Sequence, residues 1–150
     1  MATPHNVLVA ITNSAASLEA VSIACNLVKP RKGRVYVVHV IEVLRSLPLN
    51  AELDSEARRG EQFIRRAEEL ADEQGVSLTG QLLQARDAGQ AIVDEANDRE
   101  IDAILIGQPY ERPQGSPSLG RTVTYVLKNA TCQVWVVRQA AATAAPGHPE

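Results

Sequence analysis

Aromatic side chains, cysteines and net charge are all scarce in this chain of 150 residues. Phe, Trp and Tyr make up only 3% of the sequence, so Val, Ile, Leu and Ala have to fill the core. The net charge of −3 provides no general attraction to nucleic acid or to an anionic membrane surface. We therefore expect neither nucleic acid nor a membrane as a partner.

The two cysteines, Cys25 and Cys132, lie in separate apolar runs and form no Cys-x-x-Cys pair. This arrangement excludes a disulfide scaffold and predicts reduced core thiols. The sequence contains no apolar run near the roughly 20 residues that a membrane span needs. It also lacks the basic segment and apolar stretch of a secretory signal. Together these absences predict a cytoplasmic protein.

Patterns that would carry catalysis or bind a metal are absent as well. There is no Gly-x-Ser-x-Gly elbow and no paired-carboxylate pattern. His5 and His148 have no partners at metal-ligand spacing. His39 lies inside an apolar segment, where a hydrogen-bonded core histidine is the usual role. We therefore predict that the protein has no metal site and is not an enzyme.

Five apolar segments alternate with amphipathic segments along the chain. The predicted strands cover residues 6–12, 34–43, 76–86, 101–107 and 132–138. The predicted helices cover residues 15–28 after a cap at Asn13 or Ser14, about 55–74, 87–100 and about 118–129. This alternation predicts an α/β fold, a five-stranded doubly wound parallel sheet with helices on both faces. It forms one domain over residues 1–138, followed by a disordered tail over residues 139–150.

Ligands of such sheets bind beyond the carboxyl ends of the strands, where the strand order reverses. The segment from Gly107 to Gly120 follows a predicted strand and leads into a helix. A glycine lets the backbone approach a ligand, and a helix N-terminus favours a phosphate. Arg121 in the first turn and Arg112 in the loop could each pair with that phosphate.

The same segment also fits a ligand-free connection. Gly107 then only ends a strand, and Gly120 only allows close helix packing. Pro109, Pro113 and Pro117 stiffen the loop and remove N–H donors that a phosphate would use. From the residues alone, both interpretations stay open.

Four segments together resemble the universal stress protein family over about residues 5–138. They are NVLVAITNSAASLEAVSIA, VYVVHVIEV, IDAILIGQPY and GRTVTYVLKNATCQVWVVR. The last is similar to the family's closing helix and strand, with Gln133 in place of a proline. The resemblance implies a Rossmann-like fold of the adenine nucleotide alpha hydrolase type.

The resemblance also implies a nucleotide loop, from which this sequence departs. The nucleotide-binding branch has a glycine, two residues, a glycine, nine residues, and a glycine followed by Ser or Thr. Gly107 and Gly120 keep the outer spacing. Tyr110 stands at the middle glycine, where its ring could fill the pocket or stack on a base. Arg121 stands at the Ser/Thr position, with Thr122 one residue later.

The base-binding positions of the family differ in part. Thr12 stands where the branch has an aspartate that contacts adenine, and Val40 is the second position implied near the base. The third helix opens with Arg86-Asp87-Ala88 rather than Gly-x-Pro. Loss of one such polar contact weakens binding by roughly 1–2 kcal/mol without abolishing it.

These departures favour a dimeric regulatory module of the stress response whose ATP binding is weak or absent. The alternative is a sensor that binds ATP or AMP with the loop 107–122. Weak ATP hydrolysis is the least favoured activity, because the loop shows no general base or metal carboxylate. The resemblance further implies a homodimer through the last strand, Cys132–Arg138, since an exposed apolar edge strand otherwise promotes aggregation.

Overall fold

Five parallel strands form one sheet in the order β3-β2-β1-β4-β5, as the alternating pattern predicts. The computed structural model describes residues 4–12, 14–110 and 120–141. The strands are β1 Asn6–Ala10, β2 Arg34–Glu42, β3 Ser77–Ala85, β4 Ala103–Gln108 and β5 Gln133–Arg138. The helices are α1 Ala15–Val28, α2 Asp54–Gln74, α3 Ala88–Asp98 and α4 Gly120–Asn129, with a 3₁₀ turn at Lys29–Arg31.

The helices cover both faces of the sheet. Alternate residues of each central strand point to opposite faces, so β1 places Val7 and Val9 on one side and Leu8 on the other. The first face packs against α1 and α2, and the second packs against α3 and α4. The doubly wound fold class is therefore confirmed, with β1 at the centre of the core.

The helix ends follow the chemistry of the sequence. Ser14 caps α1 by accepting a hydrogen bond from the Ser17 N–H, and Asp87 caps α3 in the same way. Gly75 ends α2 with φ of 70°, a left-handed conformation that glycine adopts at little cost. The predicted cap at Ser14 is confirmed, whereas Asn13 lies outside the described residues.

The strand β1 ends two residues earlier than its apolar run predicts. Ile11 still donates its N–H to the Val38 carbonyl at 2.9 Å. The next N–H, that of Thr12, instead donates to the Ser17 hydroxyl of α1 at 2.9 Å. The Ser17 side chain of α1 thus replaces the neighbouring strand as the hydrogen-bond acceptor, and the chain leaves the sheet at this point.

The last strand is less buried than predicted. Cys25 is fully buried, but Cys132 and the alternating residues of β5 are only half-buried. The prediction of two core thiols is therefore wrong for Cys132, because Cys132 directly precedes β5, an edge strand of the sheet. Both cysteines are free. The predicted tail lies mostly in residues 142–150, outside the described residues.

Candidate functional site

A cavity of about 320 Å³ opens at the carboxyl ends of the central strands, next to the point where the strand order reverses between β1 and β4. The first residues of α3 and α4 close its sides. Its described lining consists of Ala10, Ile11, Thr12, Val38, Val40, Ala88, Ile92, Ile106, Gly107, Gln108, Pro109, Gly120, Arg121, Thr122 and Val123. The volume lies within the range of small-molecule sites, and the position is where ligands bind in open α/β sheets.

The structure brings together most of the residues that the sequence singles out. Six of them line the cavity, namely Thr12, Val40, Gly107, Gly120, Arg121 and Thr122. They come from β2, β4, α4 and the connection after β1, so only the fold places them side by side. The predicted phosphate partner Arg112 lies outside the described residues.

Tyr110 is not among the described residues that line the cavity. Its ring instead stacks under the Arg138 guanidinium, whose central carbon lies 4.7 Å from the ring centroid. The register explains this placement, because Gln108 of β4 pairs with Arg138 of β5 and Tyr110 follows two residues later. The ring thus faces the edge of the sheet rather than filling the cavity.

Gly107 is fixed by packing against the backbone of α1. A Cβ built on Gly107 would stand 2.3 Å from the Ala16 carbonyl oxygen and 2.6 Å from the Ser17 nitrogen. Any side chain at this position would force β4 and the start of α1 apart.

Gly120, unlike Gly107, is explained by its backbone conformation and not by packing. Its φ is +82°, and no heavy atom of the described chain lies within 4 Å of a Cβ built on it. The interpretation that Gly120 permits close helix packing is therefore wrong, and its backbone conformation explains the glycine instead. Gly120 begins α4, and three residues of this first turn, Gly120, Arg121 and Thr122, line the cavity.

Thr12 belongs to a cluster of hydroxyl groups at the start of α1. Its Oγ1 lies 3.2 Å from the Ser17 Oγ and 3.4 Å from the Ser14 Oγ. Ser17 is almost fully buried, whereas Thr12 is exposed toward the cavity. The Ser17 hydroxyl fixes the Thr12 backbone, and the Thr12 hydroxyl can both accept and donate.

A carboxylate that sequence analysis missed contacts two residues that line the cavity. Glu42 ends β2, and its Oε1 lies 3.3 Å from the Arg121 guanidinium. Its Oε2 accepts the backbone N–H of Ala88, the first residue of α3, at 2.9 Å. Glu42 and Arg121 lie 79 positions apart in the sequence, so no local sequence pattern predicts their contact.

The segment that replaces Gly-x-Pro has a structural function. Arg86 donates to the carbonyls of Val43 and Leu44, and Asp87 caps α3. Ala88 has the N–H that a proline would lack, and this N–H donates a hydrogen bond to the Glu42 carboxylate. This tripeptide therefore ties the β3–α3 connection to the end of β2.

His39 is hydrogen-bonded in the sheet, as predicted, but it is half-buried rather than a residue of the core. Its Nδ1 lies 2.9 Å from the Ile11 carbonyl oxygen, which can only accept, so Nδ1 donates. The ring packs edge-on against Phe63, with 5.4 Å between centroids. His39 faces a different cavity, beside α2, and does not line the cavity at the strand ends.

The described cavity lining is mostly apolar and has Arg121 as its charged side chain. Histidine, cysteine and carboxylate side chains do not occur among these lining residues. Across the described chain, no group of three potential His, Cys, Asp or Glu metal ligands comes together. The arrangement suits binding of an anionic molecule with a flat apolar part.

The apolar lining was not identified from sequence. Ala10, Val38, Ile92, Ile106 and Val123 are core residues whose last atoms reach the cavity. In the sequence they are indistinguishable from the rest of the apolar pattern.

None of the described helices is long and apolar enough to cross a membrane.

Comparisons with solved structures agree with this fold. Two solved structures share the fold over most of their length. A universal stress protein from Archaeoglobus fulgidus in complex with dAMP has a TM-score of 0.70 at 18% identity, over 91% of this chain and 99% of that chain. A universal stress protein family protein from Arabidopsis thaliana with AMP bound has a TM-score of 0.66 at 18% identity, over 92% and 94% of the two chains.

Comparison of the amino-acid sequences shows the family to which the chain belongs. A universal stress protein from Methanocaldococcus jannaschii is 30% identical over 139 residues, which cover 89% of this chain and 81% of that protein. The model of the universal stress protein family matches residues 4–138. The chain therefore belongs to the universal stress protein family.

Proposed function

We propose that this protein is a non-catalytic regulatory module that binds an adenine nucleotide in the cavity at the carboxyl ends of β1, β2 and β4. The single observation that carries the proposal is the convergence of Thr12, Val40, Gly107, Gly120 and Arg121 on one cavity. The structural relatives in complex with dAMP and with AMP support the same ligand class.

The lining supports one orientation of the ligand. The base lies against the apolar surface that includes Val40 and Ile92, with the Thr12 hydroxyl at its polar edge. The phosphate points to the first turn of α4, where the Arg121 side chain and backbone N–H groups offer donors. Tyr110 faces Arg138 and leaves this path open.

Binding is weak in this proposal. A threonine hydroxyl replaces the carboxylate at the base, which costs roughly 1–2 kcal/mol or about tenfold in affinity. Arg121 already pairs with Glu42, so a phosphate must compete for it. The cavity then responds to nucleotide at high concentration, as a sensor does, rather than holding it permanently.

A homodimer through β5 is the second part of the proposal. This strand pairs with β4 on one side and, within the described residues, with no strand on the other. Trp135 is 37% exposed, and its indole Nε1 donates to Gln133 on the same strand. An apolar edge of this kind supports pairing with a second copy.

Nucleotide binding is tested by mass spectrometry of the natively purified protein and by thermal unfolding with millimolar AMP or ATP. A ligand that binds only the folded state raises the midpoint of unfolding by mass action. Arg121→Ala should reduce this rise. Lys128→Ala is the matched control, because it removes a positive charge from the last turn of the same helix. An absence of both bound nucleotide and thermal shift would contradict the proposal.

A further inference from the structure

Glu42 connects the two helices that flank the cavity. One carboxylate oxygen accepts the Ala88 N–H at the start of α3, at 2.9 Å. The other lies 3.3 Å from the guanidinium of Arg121 in the first turn of α4. A single negative charge thus stands between two helix N-termini and the charged side chain of the described cavity lining.

The main chain around Glu42 is held in place. Glu42 pairs with Ala85 in the β2–β3 register, and the next residue, Val43, donates its N–H to the Ala85 carbonyl at 2.8 Å. The Arg86 guanidinium donates to the Leu44 carbonyl just beyond. The carboxylate therefore starts from a fixed backbone and needs little reorganisation to reach Ala88 and Arg121.

The ion pair with Arg121 is nevertheless open to exchange. The Arg121 side chain is 78% exposed and that of Glu42 is 37% exposed. Ion pairs in such positions are weak, because water and salt screen them. An incoming phosphate can take Arg121 from Glu42, but it then stands close to an uncompensated carboxylate.

We propose that Glu42 sets the ligand specificity of the cavity by disfavouring polyphosphates, so that it selects nucleoside monophosphates over triphosphates. This inference rests on the proposed function, since it concerns the phosphate end of the same site. Each additional phosphate brings more negative charge toward Glu42, and like charges at short range repel. The helix N-termini still attract one phosphate, which the site accepts.

The test compares dissociation constants for adenosine, AMP, ADP and ATP in the wild-type protein and in Glu42→Gln. Glutamine keeps an oxygen that accepts the Ala88 N–H but removes the charge. Glu19→Gln is the charge-matched control, because Glu19 lies on α1, which packs on the opposite face of the sheet. We expect Glu42→Gln to leave adenosine unchanged and to tighten ATP about fivefold, with intermediate gains for AMP and ADP.

Two further readouts separate electrostatics from a structural effect. The gain for ATP should shrink as the salt concentration rises. In an Arg121→Ala background the gain should be smaller, because part of the effect of Glu42 passes through Arg121. A gain as large for adenosine as for ATP, or a gain equal to that of Glu19→Gln, overturns the inference.

The outcomes distinguish this inference from the proposed function. If the wild-type protein binds AMP and Glu42→Gln binds ATP no better, the inference fails and the nucleotide site stands. If neither protein binds any of the four compounds at millimolar concentration, the proposed function fails and takes the inference with it. If the wild-type protein binds AMP but not ATP, and Glu42→Gln binds ATP as well, the result supports both the proposed function and the inference.

Discussion

The backbone of Gly107 lies against the backbone of Ala16 so closely that a Cβ on Gly107 would stand 2.3 Å from the Ala16 carbonyl oxygen. The glycine that opens the candidate phosphate loop is therefore required by the contact between β4 and α1. A position that resembles a ligand-binding motif thus has a structural function that operates with or without ligand.

Gly107→Ala should destabilise the fold by about 2 kcal/mol or more, because overpacking against backbone atoms cannot be relieved by a side-chain rotation. Chemical denaturation measures the free energy of unfolding. Gly75→Ala serves as the comparison, since its φ is +70° but nothing lies within 4 Å of the added Cβ. That variant should lose only about 1 kcal/mol. Equal losses in the two variants would contradict the packing argument.

Thr12→Asp should tighten adenine nucleotide binding, because a carboxylate accepts from an exocyclic amine more strongly than a hydroxyl does. We expect the dissociation constant for AMP, measured by calorimetry, to fall about tenfold. Thr122→Asp is the control, since a carboxylate at the start of α4 would repel the phosphate. If both variants weaken AMP binding alike, the base does not lie at Thr12.

Trp135→Glu should convert the proposed homodimer into a monomer, because a charge on the β5 edge opposes pairing with a second copy. Light scattering after gel filtration gives the mass. Leu47→Glu is the matched control, since Leu47 is also 37% exposed but lies outside β5 in the β2–α2 connection. A dimer that persists in Trp135→Glu and dissociates in Leu47→Glu would place the interface elsewhere.

The Cys25 thiol should remain protonated and unreactive in the folded protein at pH 8. Burial raises the pKa of the Cys25 thiol above its ordinary value. Because the pKa of the thiol is higher in the folded state, the protonated thiol contributes to the free energy of unfolding. This contribution is complete below the unfolded-state pKa and is lost as the pH rises through the folded-state pKa. Thiol titration with and without denaturant measures the protection, and rapid labelling of Cys25 in the native protein would contradict it.

Alkaline stability provides a second check on Cys25. Cys25→Ala should lose less stability than the wild-type protein between neutral and strongly alkaline pH, whatever its stability at pH 7. Desolvation also raises the pKa of the half-buried Cys132, with opposing backbone hydrogen bonds. An identical pH dependence in the wild-type protein and Cys25→Ala would show that the buried thiol does not contribute.

The sheet and its helices could be predicted from sequence because the central strands are short apolar runs that alternate with amphipathic segments. Ser14 and Gly75 are local signals, and both act where they were expected. The end of β1 could not be predicted, since it depends on the Ser17 hydroxyl reaching the Thr12 N–H.

The candidate site was predictable only where a motif marks it. Gly120 and Arg121 belong to a recognisable spacing, and the fold places both at the cavity. Glu42 carries no such signal, because its partners Ala88 and Arg121 become neighbours only when three elements meet. The orientation of Tyr110 likewise depends on Arg138, which sequence spacing does not connect with it.

The most direct test of nucleotide binding is an NMR titration of the ¹⁵N-labelled protein with AMP, up to about 5 mM. We predict saturable shifts of the backbone amides of Thr12, Gly107, Gly120 and Thr122, which line the cavity. The amide of Ser22, which faces the groove between α1 and α2, should stay unchanged. Unmoved cavity amides at the highest concentration, or shifts confined to the α1–α2 groove, would contradict the proposed site.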